Sequence, residues 1–334
     1  MFRRLTLLVL VIAAPAFGQV EQHFAEIGDL PLESGEILHD VRVGYITAGV
    51  LNEDKSNVLL FPTWFGGTAK NLVDFEVIGP GKLADTDRYF VIAFDALANG
   101  VSTSPSNSTR QPGAEFPVIS TGDMVESQYR LLTEHLGIES AYAVMGISMG
   151  GMQTFEWMGR YPNFMEHAIP LDGSPRMTSY DLLQWQVHKD IVGVMRDAGY
   201  NDRAIFELVG RVAQMTLQTP TWFVQNVEPE ELEAYLAAST GTPNSYDYVA
   251  QLDAMIEHNV YGGSDESRQN WLNRVTADVL IVGGTRDHMV NPIPAQRAAA
   301  DLEAELFMND SFCGHLGGAC ERDLLIERVT EFLE

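Results

Sequence analysis

The stretch Ala141-Tyr142-Ala143-Val144-Met145-Gly146-Ile147-Ser148-Met149-Gly150-Gly151 sets how the rest of the chain is read. Its first five residues form a short apolar run with the composition of a buried strand. Met152 to Arg160 then has the spacing of a helix, and Tyr161-Pro162 stops it. Between the two stands Gly-x-Ser-x-Gly. A serine on so sharp a strand-to-helix turn sits in strained backbone, and glycines must flank it where side chains would clash. The hydroxyl of Ser148 is thereby presented to a base, and the helix start offers backbone N–H groups to an oxyanion. A Gly/Ser-rich turn without chemistry would share the five residues but not both flanks.

Outward from this turn, strands and helices alternate. Residues 41–48, 58–61, 90–94, 167–171, 279–282 and 305–308 read as strands, and 123–136, 294–302 and 321–333 as helices. That order predicts an α/β fold with a mainly parallel central sheet and helices on both faces. Residues 173–275 break the rhythm, because 180–197, 203–217, 230–238 and 246–258 all read as helices. The expected organisation is a core over 19–172, a helical cap insertion over 173–275, and the rest of the core over 276–334.

The chain has 334 residues, 46% of them apolar, which is enough for a large packed core and opposes global disorder. Its formal net charge of −25 opposes nucleic acid, anionic membrane surfaces and polyanionic ligands. At the N-terminus Arg3 and Arg4 precede an apolar run from Leu5 to Ala14, and Ala16-Phe17-Gly18 offers small residues for cleavage. Residues 1–18 therefore read as a signal peptide, too short to span a bilayer, and the mature protein is expected in the periplasm or outside the cell with no stable membrane association. Export permits a disulfide between the two cysteines, Cys313 and Cys320, although spacing alone leaves two thiols open. No second Cys/His pair lies at metal-ligand spacing, so no metal site is expected.

An acyl-transfer serine needs a base and an orienting acid. The elbow is similar to that of α/β-hydrolase fold proteins, in which the order along the chain is serine, acid, histidine. Val279 to Val282 is an apolar strand running through Gly283-Gly284-Thr285-Arg286 to Asp287, which places a carboxylate near a strand's carboxyl end. Asp95 also follows a strand but precedes Ser148. His315 lies in a Gly-rich loop before the final helix and is the candidate base. His288 is adjacent to Asp287 and poorly placed to be oriented by it, and His23 and His39 precede the elbow. His135, His167, His188 and His258 fall in helices or at strand ends. The oxyanion donors expected are the N–H of Met149 and that of Trp64, with Phe65 the neighbouring alternative.

Two further segments carry a closer resemblance. Ile78-Gly79-Pro80-Gly81-Lys82 with Asp85-Thr86-Asp87-Arg88-Tyr89-Phe90-Val91-Ile92, and Ser148-Met149-Gly150-Gly151-Met152-Gln153 with Glu156-Trp157 and Tyr161-Pro162, resemble the homoserine O-acetyltransferase family. The similarity runs from about residue 40 to residue 176 and resumes around Asp287 and His315. It implies a double displacement through an acyl-serine, with Ser148, Asp287 and His315 as the triad, and a homodimer through the cap. It also implies that Arg211 on a cap helix binds a substrate carboxylate, a task suited to a guanidinium fork. Two positions depart from the family. Leu316 stands where an aspartate binds the acceptor's ammonium, and Gln218 where a tyrosine is usual. A buried ammonium without its carboxylate is costly to desolvate. The expected activity is therefore hydrolysis of a small carboxylic ester or amide, without cofactor. An O-acyltransferase is the alternative, and a non-catalytic binding module the third reading.

Overall fold

The computed structural model describes residues 20–239, 241 and 243–334, so the expected leader at 1–18 lies outside the described residues. Eight strands form the main sheet: β1 (His23–Pro31), β2 (Ile37–Ala48), β3 (Val58–Pro62), β4 (Phe90–Phe94), β5 (Ala141–Ile147), β6 (Met165–Leu171), β7 (Asp278–Gly284) and β8 (Glu305–Asn309). Their spatial order is β1-β2-β4-β3-β5-β6-β7-β8. β1 and β2 pair antiparallel, as do β2 and β4, and every other pairing is parallel. β3, whose sequence is an unbroken apolar run, is buried along its whole length, as a parallel strand covered on both faces must be.

Successive strand residues point to opposite faces of the sheet. Leu60, Ile92, Phe94 and Val144 join one apolar cluster, which also holds Met152, Phe155 and Trp157 of α3 (Met149–Arg160). Leu59, Phe61, Val91 and Ala143 join the other, with Ala69 and Leu72 of α1 (Ala69–Asp74) and Leu325 and Val329 near the C-terminus. Helices thus cover both faces, as α2 (Thr121–Arg130) does beside α3. The helix expected at 123–136 begins earlier, because the Ser120 hydroxyl caps the Asp123 N–H, and it ends in a wider turn over Leu131–Leu136.

Between β6 and β7 lie α4 (Ser179–Asp197), α5 (Asp202–Leu217), α6 (Pro220–Asn226), α7 (Leu232–Ser239), α8 (Ser245–Ile256) and α9 (Asp265–Leu272). Three side chains seat these helices on the carboxyl ends of the strands. Gln251 on α8 accepts from the Gly66 N–H at 2.8 Å and donates to the Leu97 carbonyl at 2.9 Å. Gln184 on α4 donates to the Met289 carbonyl at 2.6 Å, and the Asp181 carboxylate accepts from the Asn291 N–H at 3.0 Å. Among the described residues no helix is long and apolar enough to cross a membrane.

Candidate active site

Ser148 sits between β5 and α3 with φ 58° and ψ −120°, a conformation that L-residues rarely adopt. Close packing explains both flanking glycines. A Cβ on Gly146 would come within 2.4 Å of the Gly150 carbonyl oxygen, and one on Gly150 within 2.4 Å of the Pro62 carbonyl oxygen. The Ser148 N–H donates to the Leu171 carbonyl of β6 at 2.8 Å, which holds the turn from below.

Asp287 and His315 come to this serine from the last part of the chain. β7 ends at Gly284, and Asp287 follows in a tight turn where its Oδ1 accepts from the N–H groups of Met289 (2.8 Å) and Val290 (2.9 Å). Its Oδ2 lies 2.6 Å from His315 Nδ1, and His315 Nε2 lies 2.9 Å from Ser148 Oγ. With the proton on Nδ1, the imidazole donates to Asp287 and accepts from the serine hydroxyl. Exposure is 9% for Ser148, 8% for His315 and 4% for Asp287, so the line is nearly dry. Burial, the largest influence on His315, disfavours its charged form, but the charge and hydrogen bond of Asp287 outweigh it and hold the imidazole above its usual pKa.

His315 belongs to a short turn over Gly314–Leu316, which α10 (Gly317–Cys320) continues. Gly314 has φ +68°, and a Cβ there would press on Leu217 and Gln218 of the cap. Cys313 and Cys320 are bonded to each other and close a loop around the histidine. His288 is exposed, and among the described residues only its carbonyl is hydrogen-bonded, by Gln184. Asp95 is buried away from this line, where it accepts from the Ala69 N–H, Asn99 and Gln22.

Gly150 packs directly on Pro62 and Thr63, which brings the start of α3 beside Trp64. Among the described residues, no acceptor bonds the N–H of Met149 or of Trp64. Two free donors, one at the start of α3 and one in the loop after β3, suit a developing oxyanion. The Trp64 ring packs against Gly67 and Phe75. Gln153, in the second turn of α3, braces this loop. Its Nε2 donates to the Thr63 carbonyl at 3.1 Å, and its Oε1 accepts from Gln128 at 2.6 Å. Gln128 in turn accepts from Trp157 Nε1 at 3.0 Å. This buried chain fixes the loop that carries Trp64, and a glutamine one helical turn past the elbow was the only signal for it.

Arg211, expected to bind a substrate carboxylate, has a partner within the cap. Its guanidinium is exposed and forms a two-bonded pair with Glu233 on α7, at 3.0 and 2.6 Å, so the fork is already occupied. Gln218 instead faces inward, where its Oε1 lies 2.7 Å from the Tyr235 hydroxyl.

A family model described as alpha/beta hydrolase fold matches residues 57–318. An ethyl acetate hydrolase of Pseudomonas veronii is 41% identical over 47% of this chain and 45% of its own length. The chain spans about half the length of the curated esterases it matches. A homoserine O-acetyltransferase of Geobacter sulfurreducens is 30% identical over 91% of this chain and 94% of the relative. The solved structure of an acetylester hydrolase from Corynebacterium glutamicum superposes with a TM-score of 0.86 at 26% identity, covering 94% of this chain and 96% of that one. With a fold match through both halves of the core and a relative aligned nearly end to end, the chain belongs to the homoserine O-acetyltransferase-like family of the α/β-hydrolase fold.

Proposed function

We propose that this protein is an exported serine esterase that cleaves small carboxylic esters, acetates among them, through an acyl-serine. The observation that carries the reading is the unbroken line from Ser148 Oγ through His315 to Asp287. His315 Nε2 takes the hydroxyl proton as Oγ bonds to the ester carbonyl carbon. The carbonyl oxygen becomes an oxyanion between the N–H groups of Met149 and Trp64. Collapse breaks the bond to the alcohol oxygen, which leaves with the proton from His315. Water then gives a proton to His315, attacks the acyl carbon, and frees the acid and Ser148. Asp287 keeps the imidazole in the working tautomer throughout.

Water as the acceptor is supported by what surrounds the base. Leu316 brings no charge beside His315, and Arg211 pairs with Glu233, so neither of these two positions offers an amino-acid acceptor its partner. The names of the Pseudomonas and Corynebacterium relatives point the same way. The Cys313–Cys320 bond supports maturation in an oxidising compartment. Acyl transfer to a hydroxyl acceptor is the second reading, favoured by the Geobacter relative, and it shares the acyl-serine. The test is turnover of p-nitrophenyl acetate by the purified protein without any acceptor. Ser148→Ala should lower it by at least ~10³-fold while a fluorophosphonate labels only the unaltered protein. Product formation that requires acetyl-coenzyme A plus homoserine would replace hydrolysis by transfer, and an unlabelled Ser148 would reduce the protein to a binding module.

A further inference from the structure

One carboxylate beside this line has no part in the steps above. Asp172 is the first residue after β6, and its φ of +47° is unusual for any residue but glycine. The backbone on both sides explains how it is held there. Its N–H donates to the Val282 carbonyl of β7 at 2.9 Å. Gly173, next in the chain, packs so tightly on α3 that a Cβ would lie 2.8 Å from the Gly151 Cα. Asp172 is therefore fixed between the elbow helix and the end of β7 that leads to Asp287. Its Oδ2 would be 3.7 Å from a Cβ on Gly318, three residues past His315, and it meets the backbone N–H of Gly284. Among the described residues, no lysine or arginine pairs with it, and the charged groups that bear on it are His315 and Asp287.

We infer that Asp172 is a second electrostatic partner of His315, a positioning residue that sets the pH range over which the base can accept the Ser148 proton. The inference rests on the esterase reading. Burial, reinforced by the charge of Asp287, pushes Asp172 up to about 7, while His315 pulls the other way. Asp172 in turn acts on the imidazole after Asp287 and ahead of Asp181 on α4. The sign follows directly. The base works in its neutral form, and an ionised Asp172 favours the imidazolium. Activity is lost as pH falls through the His315 pKa, so ionised Asp172 moves that acid limb to higher pH. Removing the charge moves it lower.

The probe is a fluorophosphonate, and the readout is its rate of labelling at Ser148 from pH 5 to 9. Asp172→Asn should shift the acid limb down by roughly one pH unit with little change in the plateau. Asp172→Glu should return the limb towards that of the unaltered protein. Should the asparagine variant misfold, Asp172→Gly suits the positive φ and makes the same test. Coincident limbs in the unaltered and uncharged proteins would overturn the inference and leave the esterase reading standing. So would loss of labelling at every pH in folded Asp172→Asn while Asp287→Asn still reacts, since Asp172 would then be the orienting acid. An unaltered protein that is never labelled would overturn the esterase reading itself.

Discussion

Two aspartates at strand ends, Asp287 and Asp95, look alike as residue types, and their partners give them different work. Asp287 accepts two backbone N–H groups through one oxygen and offers the other to His315. An amide in its place would present N–H to the imidazole and favour the wrong tautomer. Asp287→Asn should lower kcat by about 10³–10⁴-fold with the fold intact. Asp95 receives three donors, Ala69 N–H at 2.8 Å, Gln22 at 2.9 Å and Asn99 at 3.0 Å, and ties the start of α1 to β4. Asp95→Asn turns an NH₂ towards donors and should cost about 1–3 kcal/mol of stability, with kcat within several-fold of the starting value. Paired thermal melts and p-nitrophenyl acetate assays check both, and a larger kcat loss at Asp95 would reverse the assignment. The order of residues along the chain separates these two aspartates in the same sense as their hydrogen-bond partners do. It says nothing of Arg211, whose direction depends on Glu233 standing opposite it on another helix.

At the scale of elements, the turn after β8 carries the base, and three things hold it. Gly314 allows the backbone reversal, Thr219 between α5 and α6 of the cap donates to the Phe312 carbonyl, and the Cys313–Cys320 bond closes the loop. So short a loop gains only about 2–3 kcal/mol on chain-entropy grounds. Its effect on alignment is larger, because misplacing a base by about 1 Å can cost ~10²-fold. Reduction, or Cys313→Ser with Cys320→Ser, should therefore lower kcat more than it lowers Tm. Peptide mapping without reductant establishes the bond, and a melting temperature that falls while kcat holds would show that packing alone positions His315. Elements with plain periodicity, such as β3 and α4, were legible in the sequence. β1 was not, because bulges around Gly28 break its alternation. α6 and α9 escaped notice because they are short and few of their side chains are buried.

Across the whole molecule, the cap presents apolar side chains to solvent on successive helices: Leu183 and Val194 on α4, Met215 on α5 and Val224 on α6, the last 83% exposed. Exposed apolar side chains on a chain of net charge −25 fit self-association better than binding of a charged partner. Light scattering after gel filtration should give a dimer, and Met215→Glu with Val224→Glu should give a monomer. A monomeric unaltered protein at micromolar concentration would rule the dimer out. Much of the molecule follows from the sequence alone. The elbow needs its glycines wherever it occurs, buried parallel strands must be apolar, and the order serine, acid, histidine assigns the triad candidates without coordinates. Those signals are local, or repeat at a fixed period, so they survive in one dimension. Tertiary structure alone decided which carboxylates surround His315, which glutamines brace the oxyanion loop, and that Arg211 turns to Glu233. Each of these depends on a partner far along the chain, and direction and distance between such partners exist only once the sheet has brought its strand ends together.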